Sequence, residues 1–176
     1  MRYLVIALFL TACMAQSAWA KLELTQVPQG VKLEGPLGGR IDGTPWHSDE
    51  MQGKVHVLFY VDPDLKDLNN DASEALKAEN FPREHYQPLA IINMGATWLP
   101  KFVIKASLKK KQKQYPDTIY IRDNQKTIIE AWGVDDENSN VLAFDREGRL
   151  FFIKEGKLNP EEIKTLIELI YKHLNN

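Results

Sequence analysis

Cysteine is almost absent from this chain: Cys13 is the one among 176 residues. It falls within a leader that reads as removable, so the remainder has no thiol for a disulfide, a nucleophilic thiolate or a cysteine zinc site. No apolar run approaches the about 20 residues that a membrane-spanning helix needs. Neither sign of charge dominates. With 22 basic and 24 acidic residues the formal charge is −2, and no field is strong enough to recruit nucleic acid or anionic lipid. Neither G-x-G-x-x-G nor G-x-x-x-x-G-K-[ST] occurs, which argues against a nucleotide loop. The serines form no G-x-S-x-G elbow. His47, His56, His85 and His173 show no metal-ligand spacing, and His56 reads as a satisfied core residue.

What is present begins with residues 1–20, MRYLVIALFLTACMAQSAWA. Arg2, the apolar run from Tyr3 to Leu10 and Ala18-Trp19-Ala20 make the three parts of a secretory signal peptide, with cleavage between Ala20 and Lys21. The expected product is one domain, residues 21–176, exported to the periplasm. An alternative leader reading rests on Leu10-Thr11-Ala12-Cys13, which looks like a lipobox; lipidation at Cys13 would tether the domain to a membrane without altering its fold.

Hydrophobic patterning places the elements. Gly35, Gly38, Gly39 and Gly43 predict turns and a small hairpin between Leu33 and Trp46. VHVLFYV (Val55–Val61) is too apolar for an edge and predicts a buried parallel strand. A polar break over 62–71 leads to a helix ending near Glu79, and Pro88–Met94 predicts a second buried strand. Leu99, Phe102, Val103 and Ala106 predict the apolar face of a helix whose end, Lys109–Lys113, is solvated. TIYIRD (Thr118–Asp123) is a strand, and Arg146-Glu147-Gly148 turns a closing hairpin. Asn159, Pro160 and Glu162 then cap a final helix with the stripe Ile163, Leu166, Ile167, Ile170 and Leu174. Strand and helix in alternation is an α/β order, with right-handed crossovers placing helices on both faces of a central sheet.

Several segments then carry a resemblance. QGKVHVLFYVD, YPDTIYIRDNQKTIIEAWGV and NVLAFDREGRLFFIKEGKLNPEEI resemble successive parts of the thioredoxin-like fold in its peroxiredoxin-type variant. WHSDEMQGKVHVL, REHYQ, LKKKQKQYP and the run from Ala143 to Asn176 are similar to the YtfJ family, exported bacterial proteins with no assigned activity. The resemblance implies a thioredoxin-like three-layer α/β/α sandwich with a central mixed sheet and an N-terminal strand or hairpin extension. It also exposes two departures. The redox-loop position reads Asp62-Pro63-Asp64-Leu65-Lys66-Asp67-Leu68, without sulfur, and Ser139 stands where a cis-proline is usual. Neither thiol exchange nor cysteine peroxidase chemistry carries over, and no catalytic residue can be named.

The vacated pole supplies the candidate residues. Asp62, Asp64 and Asp67 share one loop, and Asp135 and Asp136 precede Ser139; in a thioredoxin-like arrangement the two segments face each other. Carboxylates suit a hard divalent cation, so Asp62, Asp64, Asp67, Asp135 and Asp136 form a candidate metal set, although Lys66 and a missing glycine exclude the EF-hand pattern. The competing reading makes them turn and cap residues. Trp46, Trp132, Tyr60, Phe81 and Tyr86 read as core, while Trp98 follows a strand end where the fold has a surface loop. The expected function is therefore a periplasmic, redox-inactive module that binds a protein or peptide through Asp62, Asp64, Asp67, Trp98 and Ser139. The alternatives are a divalent-cation protein or carboxylate enzyme at the same pole, and a lipoprotein anchored through Cys13. No cofactor is expected beyond that possible cation.

Overall fold

The structure is a computed structural model and describes residues 22–175; the expectations at Cys13, Ala20 and Lys21 lie outside them. Short strands β1 (Lys32–Leu33), β2 (Gly38–Arg40) and β3 (Trp46–His47) lead into β4 (Val55–Val61) and α1 (Asn70–Ala78). There follow β5 (Tyr86–Asn93), α2 (Lys101–Gln114), β6 (Ile119–Asp123), α3 (Thr127–Trp132), the hairpin of β7 (Ser139–Phe144) with β8 (Leu150–Glu155), and α4 (Pro160–Leu174). The main sheet runs β2-β6-β5-β4-β7-β8. Its three central strands, β4, β5 and β6, are parallel, while β2, β7 and β8 run antiparallel to their neighbours. β1 and β3 form a separate antiparallel pair, the expected N-terminal extension.

The apolar run of β4 is explained by its place: it is hydrogen-bonded on both edges and covered on both faces. Leu58 and Tyr60 point to one side, with Leu89, Ile91 and Ile121, and meet Ile128 and Trp132 of α3 and Leu33 and Trp46 from the N-terminal segment. Val55, Val57 and Phe59 point to the other, against Ala72 and Leu76 of α1 and Leu166 and Ile170 of α4. Burying a Leu or Ile completely contributes roughly 1.5–3 kcal/mol, so these two layers supply most of the driving force. α4 is closed at its start by a capping box between Asn159 and Glu162.

Two sequence expectations change. The glycine-rich stretch does more than turn, because Gly38-Gly39-Arg40 pairs with β6 and becomes an edge of the main sheet. Only glycine fits position 38, where φ is +141° and a Cβ would lie 1.9 Å from the Arg122 carbonyl oxygen. The apolar face of α2 is also different. Ile104 is buried and Leu108 half-buried against the sheet, whereas Phe102 is 74% exposed and Ala106 faces solvent. Leu99 precedes the helix, which starts after Pro100, so the spacing from Leu99 does not set its buried stripe.

Candidate functional site

The parallel strands deliver three polar residues to one pole. Asp62 follows β4, and Asn93 and Asp123 end β5 and β6 directly opposite one another. Asp123 is fully buried. Its Oδ1 accepts from the backbone N–H of Gln125 at 3.2 Å and Thr127 at 2.9 Å, and its Oδ2 from that of Ile128 at 2.9 Å. These bonds satisfy the start of α3, where a carboxylate also complements the helix dipole. Tyr60 Oη donates to the same Oδ2 at 3.2 Å. Burial, reinforced by the Asp123 charge, pushes the Tyr60 hydroxyl well above its usual range and keeps it a donor.

Asp62 gathers the second cluster. Its Oδ1 accepts from the Asp64 N–H at 2.8 Å and caps the three-residue 3₁₀ turn Pro63–Leu65. Burial raises its carboxyl pKa, the nearby charges of Asp64 and Asp136 add to that, and Lys126 opposes it. Lys126 Nζ donates to Asp136 Oδ2, and Asn93 Nδ2 donates to Asp136 Oδ1 at 2.8 Å. Asp64 is exposed and takes a bond from Thr97 Oγ1 at 3.3 Å, which brings the loop carrying Trp98 beside the acidic pole. Trp98 itself is 87% exposed.

The remaining candidate residues are placed elsewhere. Asp67 pairs with Lys111 at 3.1 Å and accepts from Asn70 Nδ2, and these bonds hold its carboxyl below the ordinary range. Asp135 turns into its own loop, accepting from the Glu137 N–H and Asn138 Nδ2. Ser139 is buried at the start of β7, opposite Val61, and meets Asn69, whose Nδ2 donates to the carbonyls of Ser139 at 3.3 Å and Gly156 at 3.0 Å. Asn69 Oδ1 accepts from the Leu158 N–H at 2.9 Å, so this residue knits the pole together. The five carboxylates of the candidate metal set therefore split, with Asp62, Asp64 and Asp136 near one another and Asp67 and Asp135 engaged separately. Among the described residues no group of three or more His, Cys, Asp or Glu is arranged to hold a metal ion.

Tyr60, Asn93, Asp123 and Lys126 are the pole residues that sequence reasoning passed over. A signal existed for Asp123: an aspartate closing a strand four residues before a helix-forming TIIEAW run is a cap pattern. Nothing in the chain marks Asn93 or Lys126.

Solved thioredoxin-type structures superpose on this architecture. The thioredoxin domain of a thiol-disulfide oxidoreductase from Bacteroides vulgatus matches with a TM-score of 0.60 and 13% identity, covering 85% of this chain and 98% of that one. The exposed lipoprotein thioredoxin of Streptococcus pneumoniae matches with a TM-score of 0.55 and 18% identity, covering 82% and 99%. These likenesses show the fold: a thioredoxin-like domain in which a single cysteine, at position 13, leaves no thiol pair for disulfide exchange. The chain belongs to the family described as bacterial protein of unknown function (YtfJ_HI0045), matched over residues 34–173. It is 32% identical over 133 residues to the uncharacterized protein YtfJ of Escherichia coli (strain K12), covering 73% of this chain and 72% of that protein. An uncharacterized protein of Haemophilus influenzae is 30% identical over 179 residues and covers 97% of both.

Proposed function

We propose that this protein is exported and acts as a redox-inactive binding module, capturing a protein or peptide partner at the pole that holds the thiols in its redox-active structural relatives. The observation that carries the reading is the exposed aromatic surface beside that pole. Trp98, on the segment joining β5 to α2, is 87% exposed, Phe102 in the first turn of α2 is 74% exposed, and Thr97 bonds Asp64 at the edge of this surface. Large exposed aromatics are costly unless something covers them, and they are favoured anchors of interfaces. Exposed Asp64 adds negative charge, so the fitting partner presents an apolar side chain next to a basic one. Export is supported by the leader pattern of residues 1–20.

The test is a photoreactive cross-linker at position 98 in cells. A discrete adduct should form, and Asp62→Asn with Asp64→Lys should abolish it while the thermal transition persists. Capture that survives both changes refutes the assigned surface. Intact mass of the exported protein separates the leader readings, since ordinary cleavage starts the chain at Lys21 and lipidation starts it at Cys13. A divalent-cation role has less support, because only three of its five carboxylates lie together and Lys126 already neutralises one of them.

A further inference from the structure

A cavity lies between the sheet and the helices α1 and α2, reaching the pole at one end. Open to solvent on one side, it has a volume of about 610 Å³, within the range of small-molecule sites. Phe59, Ala90, Ile92 and Tyr120 from the strands form its floor, with Leu76 of α1 and Ile104 of α2 on the walls. It extends from Ser139 and Val61 at one end of β4 to Lys54 and Arg83 at the other; seven strand residues at about 3.3 Å each span about 23 Å.

We propose that this cavity binds a single-chain amphiphile with an anionic head group, its alkyl chain lying along the sheet and its head at the Lys54–Arg83 end. Three observations select that chemistry. First, the lining includes the cations Lys54, Lys66, Lys77, Arg83 and Lys111 against one acid, Asp117, in a chain of net charge −2. Second, Lys66 and Lys111 pair with Asp67 and Lys77 with Glu74, which leaves the far end with the one lining cation that has no acid against it among the described residues. Lys54 Nζ donates to the Arg83 carbonyl at 2.7 Å and pairs with no carboxylate among the described residues, while exposed Arg83 shares its guanidinium with Asp117. Third, β4 and β5 are interior strands paired on both edges, so the cavity floor offers no free backbone groups. An extended peptide needs hydrogen-bond partners along its length; an alkyl chain needs none. The proposal does not depend on the partner surface at Trp98.

The test is calorimetric titration of the purified protein with dodecanoate below its micellar concentration, beside dodecan-1-ol as the uncharged probe. One saturable dodecanoate site is expected, with affinity at least about tenfold above the alcohol. Ala90→Trp fills the cavity from the sheet and Ser107→Trp from α2; each should abolish binding. Ser107 is half-buried on the helix, so its variant keeps the test valid if Ala90→Trp lowers stability. Lys54→Glu should weaken dodecanoate about tenfold and leave the alcohol unchanged, and Trp98→Ala should change neither. Absence of a saturable site, binding that survives both tryptophans, or equal affinity for acid and alcohol overturns the proposal. So does retention on phosphatidylglycerol vesicles without uptake of free dodecanoate, which would make the cations a membrane-facing patch.

Discussion

Tyr60 and Asp123, 63 residues apart in sequence, meet at 3.2 Å with neither side chain reaching solvent. The bond joins the central strand to the start of α3, and the carboxylate holds three backbone N–H groups besides. Asp123→Ala should cost about 3 kcal/mol, because it removes a helix cap and leaves buried donors unpaired. Tyr60→Phe, which removes one of four bonds, should cost about 1.5 kcal/mol. Urea unfolding checks both, and an Asp123→Ala variant as stable as the parent would refute the capping role.

Tyr86 supplies the contrast. Its hydroxyl is buried and has no hydrogen-bond partner, while its ring packs on Phe81 with centroids 4.8 Å apart. Tyr86→Phe keeps the packing and removes an unsatisfied group, so stability should hold or rise by about 1 kcal/mol. A loss comparable to that of Tyr60→Phe would reveal a partner for the hydroxyl.

His56 makes stability pH-dependent. Burial pushes its pKa down from 6.5 to about 4, and its Nδ1 lies 3.0 Å from the Lys54 carbonyl oxygen. The unfolded chain takes up a proton at a pH where the native chain does not. Stability is therefore complete above about pH 6.5 and falls as the pH drops toward about 4, by roughly 3 kcal/mol at the limit. Asp62 acts in the opposite sense, since its raised pKa makes ionisation unfavourable to the native state. Urea midpoints measured from pH 7.5 to 4.5 should decline in the parent and flatten in His56→Gln.

Asn69 uses its whole amide on the backbone of two distant segments, at Ser139, Gly156 and Leu158. Asn69→Ala should cost about 3 kcal/mol, and amide exchange should accelerate at Leu158 before it does in β4. Unchanged exchange there would mean that the β8–α4 connection is held by packing alone.

Elements that bury a regular face were legible in the sequence. The all-apolar β4 and the capped, striped α4 stand where patterning puts them, because burial on both faces or on one helical face leaves a periodic trace. Gly38-Gly39-Arg40 leaves no such trace, since glycine carries no side chain to alternate, and its place at the sheet edge came only from the structure. In α2, apolar residues occur on both sides of the helix, so Ile104 and Leu108 could not be told from Phe102 as the buried set. At the pole the types of residue were visible but not their engagements. Asp67 and Asp135 resemble Asp62 in sequence, yet only three-dimensional proximity separates a carboxylate neutralised by Lys111 from one pressed against Asp64 and Asp136.

The turn that Asp62 closes is three residues long, and α1 does not begin until Asn70. In a thiol oxidoreductase the reactive sulfur gains acidity from an adjacent helix start. A cysteine pair engineered at positions 62 and 65 would occupy a turn instead, where no helix start lowers the thiol pKa and the neighbouring carboxylates raise it. Thiol redox chemistry at this pole would thus demand a rebuilt backbone as well as two new cysteines, because the turn after β4 offers no helix start to a thiolate.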